Sequence, residues 1–202
     1  MTPEDVATFE RCIAVGGVAL FPADTVYGLA TEPDSREGVE RLYRIKGRRQ
    51  DRPAAVMFFD LELALEALPE LGERTRAALG RLLPGAITFV VPNPARRYPL
   101  ACGPTPERLG VRVPALRGPL EPLGAARWPV LQSSANITGG ADPRRLAEVD
   151  PSIRARVDMQ LDGGELPGTP SSVVDLATYE ETGDYRVLRE GAVPAADLAA
   201  QL

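Results

Sequence analysis

The chain has 202 residues, 44% of them hydrophobic, and a formal net charge of −5, enough apolar material for one core in a single domain spanning 1–202. It contains no histidine, which removes Ser/His and Cys/His nucleophilic machinery and imidazole metal sites, and its net acidity argues against coating nucleic acid through bulk charge. It also lacks an apolar run of the ~18 residues a membrane helix needs.

The N-terminus MTPEDVATFERC carries acids where a secretory signal carries a basic region, so the expected location is cytoplasmic, with no membrane partner. From Pro3 to Val15 the apolar residues Val6, Phe9 and Ile13 recur at helical spacing, and Gly16-Gly17 closes that helix. The strand GVALF follows. FPADTVYGLATEPD, residues 21–34, is a strand that stops at Pro22 and turns through Asp24, Thr25, Tyr27 and Gly28; a plain hairpin is the alternative. A second helix is expected from Ser35, its N-cap, to about Ile45. AAVMFF, residues 54–59, reads as a buried strand. Helices at Leu61–Leu68 and Arg74–Leu83 lead to the break Pro84-Gly85 and the strand ITFVV at 87–91. A short strand LGVRVP, a short helix at Leu116–Ala126 and the strand PVLQSS at 129–134 come next. Pro143–Ala147 and Ile153–Val157 are short helical candidates, and SSVVDL and YRVLR are late strands. Strands alternating with helices indicate the α/β class with a mixed sheet, whose loops commonly gather a site.

Of the 23 basic residues, 22 are arginine, and the one lysine is Lys46. A site that needs a compact point charge would resist such a bias, because arginine is a planar fork. Lys46 lies in RLYRIKGRRQDRP, where Arg41, Arg44, Lys46, Arg48, Arg49 and Arg52 face one acid, Asp51. Gly47 stops the helix inside this run, so Lys46, Arg48 and Arg52 can converge on one polyanion, arginine forks taking phosphate oxygens in pairs. A solvated helix end is the plainer reading.

LQSSANITGG, residues 131–140, ends an apolar strand in Ser133, Ser134, Asn136 and Thr138, with two glycines that let backbone amides approach an anion. A capped turn is the plainer reading of that segment. There is no GxxxxGK[ST] and no GxGxxG, which disfavours a P-loop or dinucleotide fold. Arg112, inside the apolar strand GVRVP, needs a partner or carries a desolvation cost, and so is a candidate for gripping a carboxylate; an internal bridge to an acid such as Asp175 is the alternative. Ser171 and Ser172 open SSVVD, and Arg189 closes YRVLRE. Cys12 and Cys102 lie far apart with no CxxC spacing and suggest neither a disulfide framework nor zinc.

In order, PADTVYGL, KGRRQDRP, SANITG, SSVVD and REG resemble the YrdC/TsaC family of threonylcarbamoyl-AMP synthases, whose usual pattern is PT[DE]TVYGL, KxR with a basic-Pro step, SANxSG, STVVD and RxG. The resemblance runs from about Val15 to Gly191. It implies a single YrdC-like domain, a twisted mixed sheet with flanking helices and a basic concave face. It also implies a reaction of L-threonine, bicarbonate or CO2, and ATP to threonylcarbamoyl-AMP and pyrophosphate, the first step of a tRNA modification. Carried over, Lys46 and Arg48 are catalytic and stabilise the phosphates; Arg52, Asn136, Thr138, Arg144 and Arg189 complete the ATP site. Thr25, Arg112, Ser134 and Ser171 hold threonine, with Arg112 facing its carboxylate. Mg2+ arrives with ATP, and no protein-built metal site is implied. Further partners implied are tRNA and the proteins of the later threonylcarbamoyl transfer.

Six departures stand out. Ala23 replaces a threonine, Met57 a histidine of one branch, Arg49 a proline and Ser172 a threonine, while Arg108 and Arg144 fall where threonines are common. The chain ends soon after RxG, as in the short form. A YciO-like RNA-binding module with weak or no synthase activity is the main alternative, and a carbamoyl-adenylate enzyme acting on another amine or on carbamoyl phosphate is a third.

Overall fold

The computed structural model describes residues 1–202. Helix α1 (Pro3–Ala14) opens on a Thr2–Asp5 capping box and turns Val6, Phe9 and Ile13 inward, as the periodicity predicts. Strands β1 (Ala19–Pro22) and β2 (Tyr27–Thr31) form a hairpin. Helix α2 (Arg36–Lys46) is capped by Ser35 and ends at Gly47, which takes the left-handed conformation at φ 59°, the usual way to terminate a helix without a Cβ penalty. The chain continues through β3 (Ala55–Met57), α3 (Leu61–Ala67), α4 (Glu73–Leu82), β4 (Ile87–Pro92), α5 (Pro99–Cys102), β5 (Arg108–Arg112) and β6 (Val130–Ser134). It closes with α6 (Pro151–Arg154), β7 (Met159–Gln160), β8 (Ser172–Asp175), α7 (Tyr179–Thr182), β9 (Arg186–Arg189) and α8 (Ala195–Ala199).

All nine strands join one mixed sheet in the order β7-β1-β2-β6-β3-β5-β4-β8-β9. Because successive strand residues point to opposite faces, the sheet sorts its side chains by parity. Leu20, Val56, Phe89, Leu109 and Val111 enter a core of 35 buried residues shared with α2, α3 and α4. Phe21 and Met57 enter a second core of 13 residues, packed by Phe9 and Ile13 of α1 and by Leu123. Phe9, Phe21 and Phe59 meet there with ring centroids 5.4 to 6.5 Å apart. Ala23 and Met57, two departures from the family pattern, belong to this same apolar cluster. Its packing covers only part of that face. The remainder, over β3, β4, β5 and β8, lies open and carries the site.

Several expected elements differ. The turn after β1 occupies only residues 23–26, and Tyr27–Thr31 is an inner strand between β1 and β6; Gly28 and Ala30 are weak strand formers, and pairing on both sides overrides that preference. The helix expected at Leu116–Ala126 is a 3-10 helix over Gly118–Ala125, since Pro119 and Pro122 lack the N–H that an α-helix requires. The candidates at Pro143–Ala147 and Ile153–Val157 shift to a 3-10 turn at Leu146–Glu148 and to α6, which begins on the Asp150 cap. The strand expected at 54–59 is shorter, and β7, α5, α7 and α8 were not expected.

Candidate active site

On β5, Leu109 and Val111 belong to the core while Arg108, Gly110 and Arg112 line a cavity of about 570 Å³ on the opposite face. On β4, Ile87, Phe89 and Val91 are core, whereas Thr88 and Val90 line the cavity. Ala55, Gln132 and Val173 extend the same parity onto β3, β6 and β8. Gly110 leaves the floor without a side chain at its position, and a Cβ there would lie a tight 3.2 Å from the Ala54 carbonyl oxygen. Over the floor stand four arginines, Arg48, Arg108, Arg112 and Arg189, against one acid, Asp142.

Arg112 is 3% exposed. Its Nη2 donates to the Ala23 carbonyl (2.8 Å) and to Thr25 Oγ1 (3.1 Å), and lies 3.5 Å from the Asp24 carboxylate. Asp24 reaches this position from a left-handed backbone, φ 72°, an uncommon conformation that Asp tolerates better than most residues, and accepts a bond from Ala115 N at 2.9 Å. Burial lowers the Arg112 guanidinium and raises the Asp24 carboxyl, and their mutual attraction opposes both shifts. Arg112 Nε is buried with no acceptor. The internal partner of Arg112 is thus Asp24 and not Asp175, which pairs with Arg108 (2.8 Å) and Arg186 (3.3 Å).

The loop after β6 wraps Lys46, which is 1% exposed. Lys46 Nζ donates to the Ser134 carbonyl, to the Asn136 carbonyl (2.9 Å) and to Asn136 Oδ1 (3.1 Å). Burial and the Arg48 charge lower its pKa to about 8 against the pull of Asp142, so the ammonium stays charged at neutral pH. Lys46 itself does not line the cavity; Ser134, Asn136, Gly139 and Gly140 do.

The basic run around Lys46 does not converge. Arg41 pairs with Asp158 and Arg49 with Asp51. Arg52 is exposed and lies outside the cavity. Only Arg48 enters it, with Nη2 on the Pro53 carbonyl (2.6 Å), its guanidinium 5.7 Å from the Tyr43 ring centroid and a buried Nε without an acceptor. The physical reason is the helix stop: residues before Gly47 follow the faces of α2, and those after it leave in separate directions.

Arg189 donates through Nε and Nη2 to the Ser171 carbonyl (3.2 and 2.7 Å), and Ser171 Oγ sits 2.9 Å from Thr88 Oγ1. Ser172 is fully buried and turned away from the cavity; its Oγ accepts from Gly191 N (3.0 Å) and Val193 N (3.1 Å) and donates to the Val193 carbonyl (2.6 Å). Serine supplies the same hydroxyl as the family's threonine. Its bonds lock SSVVD and REG together.

Of the residues expected from sequence, Arg48, Arg112, Ser134, Asn136, Ser171 and Arg189 line one cavity. Thr25 lies just behind, bonded to Arg112. Thr138 caps Lys46 and Arg144 is tied to Glu165 and Leu166, both outside the lining. Thr88 and Gln132 were not singled out; Thr88 is a polar residue between the apolar Ile87 and Phe89, and that break in pattern was a readable signal, whereas Gln132 runs into Ser133 and gave none.

Such a mixed sheet, with one half-face left open under four arginines and a Ser/Asn/Gly loop, defines an α/β protein with a strongly cationic cleft on strand side chains. A family model for Sua5, YciO and YrdC proteins, described as telomere recombination, matches residues 11–191. The chain belongs to this family. It is 28% identical over 187 residues to a threonylcarbamoyl-AMP synthase of Pyrococcus abyssi, covering 92% of this chain and 54% of that protein, so it spans about half the length of that relative. It is 32% identical over 182 residues to the threonylcarbamoyl-AMP synthase of Xanthomonas campestris pv. campestris, covering 86% of this chain and 91% of the relative. The crystal structure of P. abyssi Sua5 complexed with L-threonine superposes with a TM-score of 0.86 at 25% identity, covering 100% of this chain and 58% of that one.

No helix is long and apolar enough to cross a membrane.

Proposed function

We propose that this protein is a threonylcarbamoyl-AMP synthase acting in the cytoplasm. The observation that carries the reading is the pairing, within one cavity, of Arg48 and Arg112, each a guanidinium with a buried Nε proton lacking an acceptor. An unpaired buried donor is costly and is relieved by an anion. In this reading Arg112 takes the carboxylate of L-threonine, with Thr25, Ser134 and Ser171 beside it. Arg48 and Arg189 take the triphosphate, with Asn136 on the nucleotide and Lys46 adding positive charge from beneath the loop; Arg52, Thr138 and Arg144 reach the nucleotide only if their side chains move.

The chemistry joins the threonine amine to CO2, giving a carbamate and releasing a proton. A carbamate oxygen then attacks the α-phosphorus in line and the bond to the β-phosphate oxygen breaks, expelling pyrophosphate. This step needs alignment and cations for the leaving group rather than a histidine base. Mg2+ would come with ATP: the single lining carboxylate, Asp142, suits an ion held mainly by phosphate oxygens and water. The product is then a substrate for transfer to tRNA by other proteins.

The test is pyrophosphate release measured with threonine, bicarbonate and ATP together and with each withheld. Release should require all three. Release indifferent to threonine would defeat the proposal, and salt-sensitive tRNA binding without ATP turnover would favour the RNA-binding alternative.

A further inference from the structure

Lys46 makes five hydrogen bonds to the last residue of β6 and the loop that follows it. Besides the three from Nζ, its carbonyl accepts from Thr138 N (3.0 Å) and Thr138 Oγ1 (3.1 Å). The bonds continue outward from the lysine. Asn136 Oδ1, which receives Nζ, also receives Ser134 Oγ at 2.7 Å, so the amide orientation is fixed; its Nδ2 then donates to the Gly140 carbonyl at 2.6 Å. The loop therefore closes on itself around a buried cation, and its outer surface, Ser134, Asn136, Gly139 and Gly140, is cavity wall.

We propose that Lys46 is a positioning residue for the cavity: anchored at the end of α2, its ammonium holds the Ser134–Gly140 loop in the shape that presents Asn136 and the two glycines to the ligand. Three oxygens meet at one point, and an ammonium is the one cationic side-chain head whose three donors diverge from a single atom. A guanidinium spreads its donors over a plane and cannot serve three acceptors at that point. This accounts for a lysine in a chain that uses arginine at every other basic position. A lysine acting only as a ligand for phosphate would instead point its ammonium into the cavity. The inference deepens the synthase reading and rests on it only for nucleotide affinity.

The single lysine makes the test direct. In wild-type protein labelled with 15N-lysine and free of nucleotide, the one Nζ signal should show protons exchanging with solvent roughly tenfold or more slowly than a free lysine ammonium. Exchange as fast as the free ammonium overturns the proposal. In Lys46→Met without nucleotide, the amides of Thr138 and Gly140 should exchange roughly tenfold or more faster, with those of β4 and β5 unchanged as the check on folding. Unaltered loop exchange in a folded variant also overturns it. Affinity for AMP and for ATP should fall by the same factor, whereas a loss confined to ATP assigns Lys46 to direct phosphate contact and overturns the positioning role. If Lys46→Met does not fold, the wild-type Nζ measurement decides alone. If the wild type binds neither AMP nor ATP, the synthase reading fails while the exchange measurements still judge the loop.

Discussion

The Asp24 carboxylate and the Arg112 guanidinium face each other at 3.5 Å, both nearly excluded from solvent, one from the hairpin turn and the other from the centre of the sheet. The guanidinium therefore favours the charged form of a carboxyl that burial alone pushes toward neutrality, and the carboxylate in turn offsets part of the cost of burying the arginine. The arginine is pinned on one side by Asp24, Ala23 and Thr25 and has its Nε unspent.

Replacing Arg112 with Met removes the pair's cation and strands a buried carboxyl. Burial already raises Asp24, and without Arg112 it rises further. Between the unfolded carboxyl pKa and that raised value, the folded form holds more protons than the unfolded one, so stability falls as pH rises through the window. The expected cost is about 3–5 kcal/mol at pH 8 and clearly less at pH 5. Urea unfolding at the two pH values checks this, and an equal loss at both would count against it.

Thr88→Val removes the hydroxyl partner of Ser171 while keeping the β-branched shape on the strand. Stability should fall by only ~1 kcal/mol. In the synthase assay the KM for threonine should rise severalfold with the KM for ATP unchanged, and a rise shared by both would show that the pair serves general packing.

Ser172→Ala deletes three hydrogen bonds that tie Gly191 and Val193 to β8. A loss of about 1–3 kcal/mol follows from the stranded backbone donors. Gly191→Ala acts on the same junction, since its Cβ would fall 2.3 Å from the Pro170 carbonyl oxygen. Both variants should weaken ATP binding by displacing Arg189, which isothermal titration can read.

Lys46 offers a pH test with two opposite signs. Its pKa, about 8 in the folded protein, lies below that of an unfolded lysine, so from pH 8 upward the unfolded chain carries the extra proton and folding stability relative to Lys46→Met should rise with pH. Nucleotide affinity should decline over the same interval, because the neutral amine has only two donors for three oxygens. Lys46→Arg should stay folded yet lose most synthase activity. Parallel unfolding and binding titrations separate these effects, and activity retained in the arginine variant would contradict the ammonium's special role.

Much of the fold was legible because it rests on local patterns. The Ser35 cap, the Gly47 stop, the apolar run at 87–91 and the Pro84-Gly85 break act within a few residues of themselves, and the structure follows them. Strand β2 was legible only as one arm of a possible hairpin, because its glycine and alanine become strand only through partners on both sides, a fact of tertiary pairing. The short helix expected at 116–126 is present at 118–125, and its 3-10 winding follows from Pro119 and Pro122, which lack the N–H of an α-helix. For the site, Arg112 was readable from the cost of a buried charge, and its surroundings agree. The internal bridge offered as the alternative does form, but to Asp24 rather than to an acid such as Asp175, because proximity across the sheet depends on strand order. The basic run around Lys46 was misleading in a similar way: six cations close in sequence are separated by a helix stop into a salt bridge to Asp158, a local ion pair, a buried strut, one cavity arginine and two exposed arginines, Arg44 and Arg52.

Gly110 and its neighbours carry a consequence for how this protein tolerates change. Along Ile87–Val91 and Arg108–Arg112 a single strand is shared between two tasks that alternate residue by residue, one side filling the core and the other facing the ligand. Mutational sensitivity along these strands should therefore have a two-residue beat. Substitutions at 87, 89, 91, 109 and 111 should appear first as lower melting temperature, and those at 88, 90 and 110 first as lost turnover, while 112 counts on both sides because its charge also holds Asp24. The two kinds of selection are thus interleaved on the same five-residue stretches, and a variant gained for one can be combined with a variant gained for the other without exchanging any strand.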